Sequence, residues 1–239
     1  HKLYSRTLNG GAKMSLRKSP ASRAPLTDAE LERLSPDDLA YGKFSEDENA
    51  RLRAINEARK VKGAYRAKMT GIEQKPILSE LRGVGVLTES IWSLLKRTEP
   101  YPEAIPILLK HLQLPYSDVT RDGLARALAV PEPEVHAAWS ILVQQYITCP
   151  TGRGVVAPGE TEEWPLGAKD GLACALTMAV TEATLPEFIS LVRDRSQGES
   201  RVLLLSVLKK RRKKDAQIAQ IIAELADDPD LKKEIASWK

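Results

Sequence analysis

From residue 75 onward, large apolar residues recur three and four positions apart, the spacing of one face of an α-helix. Ile105, Leu108, Leu109 and Leu112 form one such stripe, and Trp139, Leu142, Val143 and Tyr146 repeat it 34 residues later. Ile218, Ile221, Ile222 and Leu225 form another, followed by Leu231, Ile235 and Trp238. Shorter stripes predict helices over 76–82 and 87–96, after which Glu99-Pro100-Tyr101-Pro102 breaks the chain. Few β-branched residues alternate with polar ones, so strands are not expected.

Upstream of residue 75 the pattern changes. Thr27-Asp28-Ala29-Glu30 and Ser45-Glu46-Asp47-Glu48 each fit a capping box, in which a hydroxyl and a glutamate satisfy free N–H groups at a helix start. The helix opened by the second, over 46–69, holds few large apolar residues (Leu52, Ile55, Val61, Tyr65, Met69) among many charges, and reads as mostly solvated. Residues 1–25 show no periodicity and are rich in Ser, Gly, Lys and Arg, which predicts a disordered basic tail.

Within the apolar region one octapeptide returns. Arg121-Asp122-Gly123-Leu124-Ala125-Arg126-Ala127-Leu128 is echoed 48 residues later by Lys169-Asp170-Gly171-Leu172-Ala173-Cys174-Ala175-Leu176, with six of eight positions identical. A third copy, over 201–208, keeps Arg201, Leu204 and Leu208, puts Val207 in the place of Ala127 and replaces Asp-Gly with Val202-Leu203. The glycines at 123 and 171 fall inside helices and should mark close helix approach. Such self-similarity is the mark of stacked helical units. The long spacing between the first two copies reflects an interruption, the Pro- and Gly-rich segment 148–167, which is about 15 residues longer than packing requires.

These features resemble the bacterial HEAT-repeat proteins, many of whose small members have no assigned activity. The resemblance covers 75–239 and rests on Tyr101-Pro102-Glu103-Ala104-Ile105, on 112–117 followed by 121–130, on 169–176, on 198–205 and on Asp228-Pro229-Asp230-Leu231. It implies an all-α fold: an α-solenoid of about five HEAT-like helical pairs, preceded by one or two helices in 26–74. It also implies that Asp122 and Asp170 cap the second helices of their units, while Arg121, Lys169 and Arg201 bridge to the next unit.

Composition narrows the function classes. The chain of 239 residues carries 36 basic and 32 acidic side chains, for a net charge of +4, but residues 1–23 alone contribute +6. The folded part is therefore near neutral. The chain starts at His1, and Met14 follows a stretch that reads as vector-derived; a native start there would lower the net charge to +1, and without a hydrophobic leader core it would favour the cytoplasm. No apolar run is long enough to span a membrane. Cys149 and Cys174 fit neither a disulfide framework nor a zinc site and read as structural thiols, Cys174 in the core. His1, His111 and His136 have no ligand partner at helical spacing and read as ordinary surface or half-buried residues. No nucleophile, phosphate or cofactor motif is present. The sequence predicts no enzyme, no catalytic residue, no cofactor and no metal.

Two features point outward. Solenoid insertions tend to lie on the binding face. Trp164 in the insertion, with Arg153, Glu162 and Glu163 around it, is the candidate anchor for another protein, or else pins the loop to its own repeat. If the loop serves only binding, shortening it should leave the fold intact. The run Lys209-Lys210-Arg211-Arg212-Lys213-Lys214 suits the negative end of a helix dipole, an acidic protein, or phosphates, and no aromatic residue is interleaved with it in the sequence. The leading expectation is a non-enzymatic protein-binding module, whether scaffold, regulator or immunity- or antitoxin-like inhibitor. A nucleic-acid-binding or DNA-repair glycosylase-type protein is the alternative, and a HEAT-like lyase acting on bilin-bearing proteins has fold analogy alone behind it.

Overall fold

A computed structural model describes residues 20–238. The expected tail falls largely outside them: 1–19 are not described, whereas Pro20–Ser22 form a 3-10 turn. The chain divides between Tyr65 and Arg66 into two compact units. Among the described residues it is helical apart from one two-stranded sheet.

The first unit holds α1 (Asp28–Glu32), α2 (Pro36–Tyr41) and most of α3 (Glu46–Glu73), one helix more than expected. Both predicted capping boxes form. Thr27 Oγ1 accepts from the Glu30 N–H while the Glu30 carboxylate accepts from the Thr27 N–H, and Ser45 and Glu48 do the same. A third box, Ser35 with Asp38, opens α2. Glu48 is almost fully buried and accepts from Nη1 and Nη2 of Arg23 at 2.7 and 2.8 Å. The Arg23 hydrogen bonds hold its carboxyl down at about 2, against the opposing effect of burial. Leu26, Leu31 and Leu52 form this unit's small core.

The second unit begins inside α3 and continues through α4 (Lys75–Gly83), α5 (Ile91–Leu94), α6 (Ile105–Leu112) and α7 (Asp118–Ala127). The helix expected over 87–96 is cut to one turn. Ser90 Oγ accepts from the Ser93 N–H and starts the helix late, while Thr88 Oγ1 donates to the Ser90 carbonyl and holds the preceding chain in a bend. The next stripe, Trp139 to Tyr146, lies on α9 (Trp139–Thr148), which follows the short α8 (Pro133–Ala137) across Ala138, whose φ and ψ of −85° and 11° leave the helical region. After the interruption come α10 (Ala168–Ala179), α11 (Leu185–Arg193), α12 (Arg201–Arg211), α13 (Ala216–Leu225) and α14 (Lys232–Ala236).

The three copies of the octapeptide lie on α7, α10 and α12, and these helices are spatial neighbours in that order. Their Leu124, Leu128, Leu172, Leu176, Leu204 and Leu208 are fully buried in one continuous core with Ile105, Leu108, Leu112, Leu142 and Phe188. The repeated glycine marks a close approach in both copies. A Cβ on Gly123 would lie 3.2 Å from Trp92 Nε1. On Gly171 it would lie 2.5 Å from Asp122 Oδ1 and 2.9 Å from the Asp122 carbonyl oxygen. The first echo is thus packed directly onto the second, with the aspartate of one over the glycine of the other.

Candidate partner-binding site

The insertion 148–167 folds into a short hairpin in which β1 (Arg153–Gly154) pairs antiparallel with β2 (Trp164–Pro165). Its footing is the N-terminus of α7, where four unpaired N–H groups need acceptors. Ser117 at the cap position makes no side-chain cap. Glu73, at the end of α3, takes over: its carboxylate accepts from the Ser117 N–H at 2.8 Å, from Ser117 Oγ at 2.6 Å and from Thr120 Oγ1. The Val119 N–H donates to the Val156 carbonyl of the insertion at 3.0 Å. Asp118 then serves the other end of the insertion, accepting from the N–H groups of Gly167 and Ala168 at 2.7 and 3.1 Å.

That geometry corrects the expected roles of Asp122 and Asp170. The carboxylate that caps α10 belongs to Asp118, since it lies a turn earlier on α7 and faces the start of α10. Asp122 bonds Arg126 Nε on its own helix at 2.7 Å. Asp170 lies in the first turn of α10 itself, where its charge favours the positive end of the helix dipole. Burial pushes the Asp122 carboxyl up to about 6, despite the opposing pull of Arg126.

The insertion is also no removable appendage. Val156 and Ala157 are buried, the Leu166 N–H donates to the Gly152 carbonyl, and a Cβ on Gly154 would touch Leu166. Shortening it would remove the Val156 acceptor from the start of α7 and uncover Val156 and Ala157, so a cost in stability is expected where the sequence predicted none.

Arg66 on α3 fixes the outer edge of the hairpin. Its Nε is hydrogen-bonded to Glu160 Oε1, and its guanidinium carbon lies 5.2 Å from the centroid of the Trp164 ring. Trp164 is held this way yet remains 41% exposed. Arg153 Nη2 donates to the Glu163 carbonyl across the hairpin at 2.6 Å, and the side chains of Glu162 and Glu163 are exposed beside Trp164. The four candidate residues are therefore brought together on one short hairpin, and Arg66 joins them. Arg66 and Trp164 are 98 positions apart in the chain. No local pattern signals that contact, apart from the unusual loop length.

A series of cations links the copies of the repeat to later segments. Arg121 Nη2 donates to Gln145 Oε1 at 3.1 Å, and Lys169 Nζ to Gln197 Oε1 at 2.9 Å. Arg201, with no exposed surface, forks onto Asp228 at 3.0 and 3.1 Å and reaches Asp230 at 2.8 Å. Each basic residue opens a copy of the repeat and contacts a residue 24 to 28 positions further on. Lys169 also sits 4.9 Å from the Tyr146 ring centroid, and Tyr146 Oη shares a hydrogen bond with Ser200 Oγ. Burial pushes the Tyr146 phenol up to about 12 and lowers the Lys169 ammonium. The Tyr146 phenol therefore stays protonated near neutrality, as befits a member of a packed network.

Other expectations need adjustment. His111 is buried, with Nδ1 hydrogen-bonded to Tyr116 Oη at 2.8 Å, rather than on the surface or half-buried. Cys149 is the buried thiol and Cys174 is partly exposed, because position 126, its counterpart in the echo, lies at a helix edge where Arg126 reaches Asp122. Among the described residues no group of three or more His, Cys, Asp or Glu could hold a metal ion. A groove of about 740 Å³ on the first unit is lined by Arg53, Asn56, Glu57, Arg59 and Lys60, and contains no nucleophile paired with a base. No helix among the described residues is long and apolar enough to cross a membrane.

The basic run spans the end of α12 and the turn that follows. Arg211 Nη1 bonds Glu182 Oε1 at 2.7 Å. Lys209 Nζ and the Arg212 guanidinium lie 5.0 and 5.3 Å from the centroid of the Trp238 ring, whose indole N–H donates to Glu234 at 2.7 Å. An aromatic ring absent from the run in sequence is therefore present beside it in space. Lys210, Lys213 and Lys214 are exposed. No protein family, curated protein or solved structure matches this chain.

Proposed function

We propose that residues 66–238 form a HEAT-like solenoid that acts as a non-enzymatic protein-binding module, with the 148–167 hairpin as its contact surface. The observation that carries this reading is Trp164, an amphipathic ring left 41% exposed on a hairpin tied down at both ends. Trp and Arg are the residues most enriched at interface hot spots, and here they stack on each other before any partner arrives. A surface that is already ordered loses little entropy on binding. Glu162 and Glu163 give the rim an acidic character, which suits a partner with a basic surface around an apolar cleft.

The series of Arg121, Lys169 and Arg201 supports the scaffold half of the proposal, since it links each copy of the repeat to a later segment. The free thiols of Cys149 and Cys174 fit a reducing compartment such as the cytoplasm. The test is capture from the native host on the immobilised full chain and on its Trp164→Ala variant, followed by a binding measurement with the purified partner. The proposal expects a stoichiometric protein partner whose affinity drops about 25-fold or more in the variant, the equivalent of a hot-spot loss of roughly 2 kcal/mol. Equal affinity of the two forms would refute it.

A further inference from the structure

We propose that the corner formed by residues 209–214 binds the phosphate backbone of nucleic acid without reading its sequence. The six cations divide into two sets. Lys209, Arg211 and Arg212 are braced, by Glu182 and by the ring of Trp238. Lys210, Lys213 and Lys214 are exposed and have no hydrogen-bond or ion-pair partner among the described residues. The braced set draws positive charge into a fixed cluster, and the other three extend from it into solvent.

A helix-end role does not account for this. The C-terminus of a helix carries roughly half a negative charge. Six cations exceed what it can attract, and among the described residues none of the six side chains donates to a carbonyl of α12. The nearest acid in sequence is already committed: Asp215 Oδ1 accepts from the N–H groups of Gln217 and Ile218 at 2.9 and 3.1 Å to cap α13. One carboxylate, turned to a helix start, balances at most one of the six charges.

The surroundings favour phosphate over protein. Protein interfaces are depleted of lysine and centre on apolar or aromatic residues. In the second unit every large apolar side chain that stands exposed among the described residues lies at or before Trp164, away from this run in sequence. Interfaces with nucleic acid are polar and strongly positive. Trp238 is faced by two cations, so it steadies their charge and is not free to stack on a base. Binding through phosphates alone is sequence-blind and steeply dependent on salt.

The test uses fluorescence anisotropy of a labelled mixed-sequence DNA duplex with the full chain, at about 50 and 200 mM salt. The triple variant Lys210→Gln/Lys213→Gln/Lys214→Gln is compared with Arg53→Gln/Lys60→Gln/Lys68→Gln, which removes the same charge elsewhere. Three lost phosphate contacts lower the salt slope by about 2.7, so the wild type should lose roughly 40-fold more affinity across this interval than the first variant. The second variant should keep the wild-type slope. Absence of duplex binding at low salt would overturn the proposal, as would an unchanged slope in the first variant, which would place the contact on the N-terminal cations. Tighter binding to polyglutamate or to anionic lipid vesicles than to the duplex would equally overturn it, in favour of an acidic protein or a membrane surface.

Discussion

Substituting Gly171 by alanine tests the packing of the two echoes at its closest point. The added Cβ would lie 2.5 Å from Asp122 Oδ1, 2.9 Å from the Asp122 carbonyl oxygen and 3.1 Å from Ala125 Cβ. The carboxylate could swing away, but the carbonyl is part of α7, so the two helices must move apart. Overpacking of this kind costs typically 1–3 kcal/mol. Alanine in place of glycine inside a helix returns roughly 0.8–1 kcal/mol. The displaced Asp122 would also lose some of its bond to Arg126. The net expectation is a loss of about 1–2 kcal/mol, or a fall in Tm of roughly 2–8 °C for a chain of this size. Gly71→Ala supplies the matched contrast, because its Cβ would meet nothing within 4 Å and the same propensity gain should stabilise the protein by up to about 1 kcal/mol. Thermal and urea unfolding followed by far-UV circular dichroism measures both. If Gly171→Ala proves as stable as Gly71→Ala, the two echoes are not in the contact described.

Other expectations concern single groups. Asp122 has a folded value of about 6, raised by burial above the usual carboxyl value of 3.8, so the folded state holds its proton more tightly than the unfolded state. Its contribution therefore turns unfavourable as pH rises from about 4 through 6, by at most roughly 3 kcal/mol. The stability of Asp122→Asn relative to wild type should accordingly improve over that window, and urea titrations showing a constant difference would contradict the burial argument. Arg201→Lys keeps the charge but not the fork onto the buried Asp228 or the bond to the partly exposed Asp230, so the Asp228 carboxylate would be left partly unpaired; a loss of about 3 kcal/mol is expected in urea unfolding. Trp164→Ala removes one partly exposed cation–π contact with Arg66 and should cost no more than about 1 kcal/mol, so its Tm should stay close to wild type.

How much of this was legible in the sequence depended on the range of each contact. The helical stripe of Ile105, Leu108 and Leu112 is a local signal, and all three side chains are buried. Gly123 and Gly171 were conspicuous because glycine disfavours helix, so two glycines at one repeated position needed a spatial reason. Capping boxes span four residues and were readable because they are local too. The α-helical content followed from these local rules. By contrast, the cap on α10 comes from Asp118, 49 positions before Gly167, and the guanidinium stacked on Trp164 comes from α3. Neither leaves a periodic trace. Trp238 lies 26 positions from Arg212, and only folding of α13 and α14 brings it to the basic run. The helix expected over 87–96 was misjudged because apolar content outweighed the serine and threonine that cap and bend the chain before Ile91.

The central claim is that the hairpin carrying Trp164 faces a protein partner. It is tested most directly by a photo-crosslinking residue placed in turn at Glu163 and at Gln220, both exposed, with the full chain expressed in its native host. The account predicts a discrete heavier adduct from position 163 and none from position 220. No adduct from 163, or the same adducts from both positions, would contradict it.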